Sequence, residues 1–342
     1  MDIAVPATPE VSIIVPARNE EGCLGDCLTS LAAQTGVAFE IIVVDDGSTD
    51  RTRSIAESFA GVRVISPGLL PDGWTGKNNA VVAGAKESRG GWLLFTDADT
   101  VHLPGSLARA VAETKENRAE LLSYSPEQIA VTLAEKVVMP VIFAELASQY
   151  PPAKVRDESS GVVAANGQYI LVRRDAYESV GGHAAVADKI LEDVALARAF
   201  RAAGHKVHFR YGADAVRTRM YRNWYELREG WTKNLALLFP HPVRGAAVMF
   251  AWWAVAWLTL PLLIAAAALY LRLRRANFGS GTTLLAAALG PPVVSYLLLR
   301  SVRAHGRGEV SWKGRVYSEL TSAREFSRPS GTRIDTALES RH

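Results

Sequence analysis

Short apolar runs rich in β-branched residues recur through the first part of the chain, each closed by a polar cluster. Residues 11–16 (VSIIVP), 40–44 (EIIVV), 62–65 (VRVI), 91–95 (GWLLF) and 120–124 (ELLSY) read this way. Their length and composition are those of buried strands. Between them lie segments of helical type: one reaching about Gln34, one reaching Ala60, one from about Pro104 to Asn117, and one from Ala195 to Ala203 stopped by Gly204. Strands alternating with helices predict an α/β fold on a mostly parallel sheet with crossover helices. Residues 162–173 add a strand or hairpin, and a short helix ends at Gly181-Gly182, a usual helix stop.

The pattern changes toward the C-terminus. Residues 246–271 carry no charged side chain and include Trp252, Trp253 and Trp257. That run exceeds the ~20 residues a helix needs to cross a bilayer. Arg272, Arg274 and Arg275 end it, and a second uncharged run, 276–299, is interrupted by Gly279-Ser280-Gly281 and Gly290-Pro291-Pro292. Together they predict a transmembrane hairpin whose second arm is kinked or re-entrant. The outer flanks are richer in arginine and lysine than the short loop, so the positive-inside rule puts the N-terminal domain in the cytoplasm, at the cytoplasmic membrane. Residues 221–239 mix aromatic and basic side chains, as in an amphipathic helix on the bilayer with Trp224, Tyr225 and Trp231 at headgroup depth. Residues 129–148 form an apolar helical stretch too polar to span, suited to the membrane interface, a substrate site or the core. The chain thus divides into 1–240, 246–299 and a basic cytoplasmic tail, 300–342.

Composition narrows the picture. With 342 residues, 49% of them hydrophobic, the chain can bury a sizeable core and carry an appendage. A net charge of +3 with scattered basic residues argues against nucleic acid as a partner. Cys23 and Cys27 stand alone in a helical segment and read as reduced packing residues. The first twenty residues lack a basic region followed by a long apolar stretch, so no signal peptide is expected.

The polar clusters that close the strands carry the chemistry. In an open α/β sheet, ligands bind beyond the carboxyl ends of the strands. Asp97 and Asp99 follow the run 91–95; in extended backbone, side chains two apart point the same way. Two convergent carboxylates suit Mg²⁺ or Mn²⁺, with a nucleotide diphosphate supplying further oxygens. Asp45 and Asp46 close the second strand, where either can accept from a base or a ribose, or simply cap the following helix. Lys77 lies in PDGWTGKNNA, a loop running into a helix. Pro71 and Asn78 exclude a Walker motif, but a lysine at a helix N-terminus can meet a phosphate. Glu192 and Asp193 open a helix, where the helix dipole alone favours acids and where a carboxylate can also serve as general base.

The order of these motifs, rather than any one of them, is informative: Pro16-Ala17-Arg18-Asn19-Glu20, then Asp45-Asp46-Gly47-Ser48-Thr49-Asp50, Asp97-Ala98-Asp99, Gly181-Gly182, Glu192-Asp193, and an aromatic-basic segment before an apolar one. Over residues 9–235 the chain resembles the family 2 glycosyltransferases, inverting enzymes of the GT-A fold. Trp74-Thr75-Gly76-Lys77, Phe95-Thr96-Asp97-Ala98-Asp99-Thr100, Gly230-Trp231-Thr232-Lys233-Asn234 and Trp312-Lys313-Gly314-Arg315 are similar to the hopene-associated and carotenoid-acid branch, which acts on membrane-borne terpenoids.

That resemblance implies a Rossmann-like GT-A domain and a role for each position. Asp45 or Asp46 binds uridine beside Pro16, Arg18 and Glu20. Lys77 faces the diphosphate, and Asp97 and Asp99 hold it through Mg²⁺ or Mn²⁺. Asp193 is the base with Glu192 its neighbour, while Gly181, Gly182, Arg228 and Trp231 belong to the acceptor side. Processive relatives carry Gln-x-x-Arg-Trp; here Leu227 and Gly230 replace the Gln and Arg, which implies single transfers. The expectation is a membrane-bound transferase moving a sugar from a UDP-sugar to a lipid or terpenoid acceptor. The alternatives are transfer to a polyprenyl phosphate or diacylglycerol, and a catalytically silent nucleotide-binding scaffold at the membrane.

Overall fold

The computed structural model describes residues 8–258, 262–308, 310–312 and 315–317. The elements run β1 (Val11–Ala17), α1 (Leu24–Ala32), β2 (Phe39–Asp45), α2 (Thr52–Glu57), β3 (Val62–Ile65), α3 (Gly76–Glu87), β4 (Trp92–Phe95), β5 (Thr100–His102), α4 (Ser106–Asn117), β6 (Leu121–Ser125) and β7 (Glu127–Gln128). They continue α5 (Leu133–Gln149), α6 (Pro152–Arg156), β8 (Ile170–Arg173), α7 (Arg174–Ser179), α8 (Glu192–Ala202), β9 (Val207–Tyr211), β10 (Val216–Thr218), α9 (Trp224–Leu238), α10 (Pro242–Leu258), α11 (Leu262–Leu273), α12 (Ser280–Arg307), β11 (Val310–Trp312) and β12 (Arg315–Tyr317).

The main sheet has the order β3-β2-β1-β4-β8-β6-β9. β3, β2, β1 and β4 are parallel, as the alternating pattern predicts. β8 runs antiparallel to both its neighbours, and β6 and β9 are parallel to each other. The sheet is therefore mixed, because β8 follows the long α5–α6 excursion rather than one crossover helix. Of residues 162–173, only Ile170–Arg173 is strand. Both faces are covered. α1 turns Leu24, Cys27, Leu28 and Leu31 onto one face, the spacing of an amphipathic helix; α3 and α8 cover the other.

Register sets the place of the site. Ala17 pairs with Asp45 and Ile14 with Phe95, so the loops after β1, β2 and β4 leave from one sheet edge. A three-stranded sheet, β5-β10-β7, stands beside that edge and fixes the residues after β4.

A second hydrophobic core lies outside the sheet, made by α5, α9, α10 and α12. Both apolar runs expected to form a hairpin contribute to it. The first apolar run is not one described helix but α10 and α11, with residues 259–261 outside the described part. The second is a single helix, α12, that contains Pro291 and Pro292 without breaking. Proline supplies no N–H, so the carbonyls four residues back, of Ala287 and Ala288, lose their helical partners. Trp257 and Trp253 of α10 replace them: their indole N–H groups donate to Ala287 O at 3.2 Å and Ala288 O at 2.8 Å. Among the described helices, α12 alone is long and apolar enough to cross a membrane, and half of its apolar stretch is buried against other helices; α9 and α10 meet at 110°. Most of the predicted tail, 300–342, lies outside the described residues.

The Trp–Pro complementarity is testable by a double-mutant cycle. Trp253→Phe leaves the Ala288 carbonyl unsatisfied and is expected to cost about 1–3 kcal/mol. In a Pro292→Ala background, where the missing N–H returns, the same change is expected to cost measurably less by thermal or chemical unfolding. Equal costs in both backgrounds contradict the arrangement.

Candidate active site

A cleft of about 310 Å³ opens at the carboxyl edge of β1, β2 and β4. Its first wall is the loop after β1, from which Pro16, Arg18 and Glu20 reach the cleft. This loop is stitched to the one after β2. Arg18 Nη1 donates to Asp46 O at 2.7 Å, Asn19 Oδ1 accepts from Thr49 N at 2.8 Å, and Glu20 N donates to Thr52 Oγ1 at 2.7 Å. Asn19 adopts a positive φ of 54°, which asparagine tolerates better than most residues. Of the two acids left open by the sequence, Asp46 lines the cleft. Asp45 is turned into the protein, accepting from Ser48 N at 3.3 Å and pairing with Arg53 at 3.7 Å.

Asp97 and Asp99 both line the cleft, although not through the extended geometry expected. β4 ends at Phe95, and the two acids lie in the turn leading to β5. Side chains below hold that turn. Thr96 Oγ1 donates to Gln168 O at 2.8 Å, Thr100 Oγ1 to Asp97 O at 2.7 Å, and Thr218 Oγ1 to Asp99 O at 3.2 Å. His102 Nε2 lies 3.1 Å from Thr96 Oγ1; burial pushes the imidazole down to about 3, so it is neutral. Cys27 lies beneath the same turn, its thiol pushed up to about 12 by burial. Neither cysteine is in a disulfide.

Lys77 sits in the first turn of α3, whose N-cap Thr75 accepts from Asn78 N at 3.2 Å. Asn78, the residue that spoils the Walker pattern, is fully buried and donates to Val186 O at 2.9 Å and Ala187 O at 3.0 Å. That anchors the loop before α8 to α3. The Lys77 ammonium bridges Asp97 Oδ1 at 2.8 Å and Glu192 Oε1 at 2.7 Å. Burial acts to lower its pKa, but the two carboxylates outweigh that and hold it well above the usual lysine range.

Glu192 and Asp193 begin α8 side by side and titrate in opposite directions. Burial pushes Glu192 up, yet the Lys77 ammonium prevails and holds it below the usual carboxylate range. Asp193 has no such counter-ion in contact. Burial, reinforced by the Glu192 charge, raises it to about 6, even though its oxygens accept from Gly167 N at 2.9 Å and Val194 N at 2.8 Å. A titratable pair pushed apart in a cleft marks an acid–base site.

Gly167 is the residue that sequence reading missed. A Cβ there would stand 3.1 Å from Lys77 Nζ, 3.2 Å from Glu192 Oε1 and 3.6 Å from Asp193 Cβ. The charged cluster closes over this backbone, and the only sequence signal was the Asn166-Gly167 turn. Gln168 and Tyr221 also line the cleft and were not singled out.

Three acceptor-side expectations change. Gly181 and Gly182 do not line the cleft; both have positive φ, and Gly182 packs on the Tyr177 ring, so they serve the backbone path. Arg228 is also outside it, stacked 4.8 Å from the Tyr225 ring centroid. Trp231 does line the cleft, but at 2% exposure it is a core residue, its indole N–H donating to Met139 Sδ at 3.4 Å. Of the aromatic residues expected at headgroup depth, Trp224 and Tyr225 are exposed and Trp231 is not. α5 joins the site with Phe143 and Leu146, so the apolar stretch 129–148 is a cleft-lining core helix. At Gly230, a side chain would collide with the Tyr221 ring at 2.5 Å; this tyrosine fills the space that an arginine there would need.

Residues 12–181 match the family model described as glycosyl transferase family 2. The 4,4'-diaponeurosporenoate glycosyltransferase of Staphylococcus aureus (strain MRSA252) is 31% identical over 235 residues, covering 66% of this chain and 60% of that protein. The chain belongs to glycosyltransferase family 2. It spans about 60% of the length of that relative. The fold is that of the mannosyltransferase PcManGT from Pyrobaculum calidifontis, solved in complex with GDP-Man and Mn²⁺, with a TM-score of 0.54, 19% identity and 89% of each chain covered. The mixed, parallel-rich sheet of this family 2 domain is thus shared along most of both chains.

The charge pairing predicts a titration. With Asp residues ¹³C-labelled at the carboxyl, Asp193 is expected to titrate at about 6. Glu192→Gln removes the neighbouring negative charge and moves that midpoint down. A wild-type midpoint near 4, or an upward move in the variant, contradicts the assignment.

Proposed function

We infer that this family 2 chain is an inverting, membrane-associated transferase. It moves one sugar from a nucleoside-diphosphate donor, read as a UDP-sugar, to a lipid or terpenoid acceptor. The observation that carries this reading is one cleft holding both a carboxylate pair suited to a metal-bound diphosphate and a separate carboxylate raised to about 6. Arg18, Glu20 and Asp46 receive the nucleoside, beside the backbone of Pro16.

Asp97 and Asp99 are the candidate ligands of Mg²⁺ or Mn²⁺. Among the described residues no third acid, histidine or cysteine joins them in a metal cluster. Two hard carboxylates fit an ion that takes its remaining oxygens from substrate phosphates and water. An ion held there would offset negative charge on the diphosphate. Lys77 already pairs with Asp97, and its fixed positive charge serves the same diphosphate.

Asp193 accepts the proton of the acceptor O–H. The acceptor oxygen bonds to the anomeric carbon as the bond from that carbon to the diphosphate oxygen breaks, and the nucleoside diphosphate leaves with that electron pair. Attack opposite the leaving group inverts the centre. The absence of a side chain at Gly230 agrees with single transfers. The S. aureus relative is named for 4,4'-diaponeurosporenoate, in keeping with an apolar acceptor. Exposed Phe250, Trp252, Ile264, Leu271 and Leu284 on α10–α12 form apolar surface of the kind that meets lipid or a partner.

Asp193→Asn is expected to bind donor as the wild type does and to lose transfer to a hydroxyl acceptor by roughly 10²–10⁴-fold. Retained transfer overturns the base assignment. The base acts when ionised, so kcat/KM should be flat above pH of about 6 and fall about tenfold per pH unit below it. A rate that rises on acidification contradicts this.

A further inference from the structure

A second cavity, of about 900 Å³, opens on the other side of α5. α5 turns Phe143 and Leu146 to the cleft and Val141, Glu145 and Ser148 to this cavity; Leu238 lines the first and Phe239 the second. The two spaces share a wall one helix thick and no lining residue.

Two kinds of lining meet here. Phe239, Met249, Trp252 and Leu269 supply an apolar wall, while Arg244, Arg272 and Arg275 line the cavity together with one carboxylate, Glu145. Arg272 uses that carboxylate, at 2.6 Å, to clamp α11 to α5. Its Nε, like Gln149 Oε1 on the same cavity, has no partner among the described residues. The side chains of Arg244 and Arg275 likewise make no ion pair with any described residue. Like charges gathered against apolar walls are unfavourable until an anion joins them. Guanidinium groups match phosphate oxygens in pairs, and the cavity has the volume of a site for one small amphipathic ligand.

We propose that this cavity binds an anionic lipid, with its phosphate among Arg244, Arg272 and Arg275 and a hydrocarbon chain along Phe239, Met249 and Trp252. The site is distinct from the sugar-transfer cleft, and its test reads binding rather than transfer, so it stands or falls separately from the proposed activity.

Full-length protein in neutral detergent is incubated with phosphatidylglycerol or phosphatidylcholine, and retained lipid is counted by native mass spectrometry. One phosphatidylglycerol is expected per chain, with at least tenfold less phosphatidylcholine. The pair Arg244→Glu and Arg275→Glu should lower retention at least tenfold. Gly245→Trp keeps every arginine but fills the cavity, at a position where a Cβ meets nothing within 4 Å, and should lower it as much. Melting curves confirm that the variants fold. Equal retention of the two lipids overturns the proposal. So does full retention by Gly245→Trp, which would mean lipid held on the outer surface. Complete displacement by millimolar inorganic phosphate also overturns it, because the chain would then contribute nothing.

Discussion

The ammonium of Lys77 is the contact on which the cleft depends. It joins three elements that are remote in sequence: the first turn of α3, the turn after β4 and the first turn of α8. Glu192 and Asp193 share a partly dehydrated space, where two like charges about 4 Å apart repel by about 4 kcal/mol at an effective dielectric of 20. One fixed cation pairs with Asp97 and with Glu192 and holds Glu192 below the usual carboxylate range, while Asp193 is left with backbone N–H donors and no salt-bridge partner of its own among the described residues. Burial, reinforced by the Glu192 charge, makes Asp193 a weak acid in the same cleft, and the Lys77 charge opposes that shift without cancelling it. Thr75 and Asn78 position the lysine, and Thr96, Thr100 and Thr218 position the turn it meets.

The scaffold makes this possible through register. Parallel pairing brings Ala17, Asp45 and Phe95 to one edge, so three polar loops converge without long connections. At the opposite end of the strands, acids do another job. Glu40 is fully buried, accepts from the Ser12 hydroxyl at 2.7 Å and pairs with Arg89 at 3.1 Å and Arg63 at 3.2 Å. Burial alone would raise its carboxyl; these hydrogen bonds and charges hold it below the usual range. Saturation with partners distinguishes Glu40 from Asp193.

Much of this was legible in the sequence because it is local. β-Branched runs announced β1, β2 and β3, and the acids that close the strands announced the edge. The antiparallel β8 was not legible, since direction depends on what the connection packs against. Nor was the choice between Asp45 and Asp46, because adjacent side chains point to opposite faces and only the fold says which face is the cleft. Gly167 carries no side chain to notice; its importance is the backbone N–H it gives Asp193 and the space it leaves for Lys77. In the C-terminal region hydropathy picked out the apolar helices but not how they pack. Tryptophans that read as membrane residues repair the carbonyls exposed by Pro291 and Pro292, a relation between two helices that no single window contains.

Sugar transfer from a nucleoside diphosphate is the activity proposed for this cleft. The most direct measurement is release of nucleoside diphosphate by detergent-solubilised full-length protein given a panel of UDP- and GDP-sugars with total membrane lipid, in Mn²⁺ or in EDTA. Release is expected with at least one donor, requiring both the lipid and the metal and accompanied by a glycosylated lipid of matching mass. Nucleotide-sugar binding with no release on any lipid would contradict it.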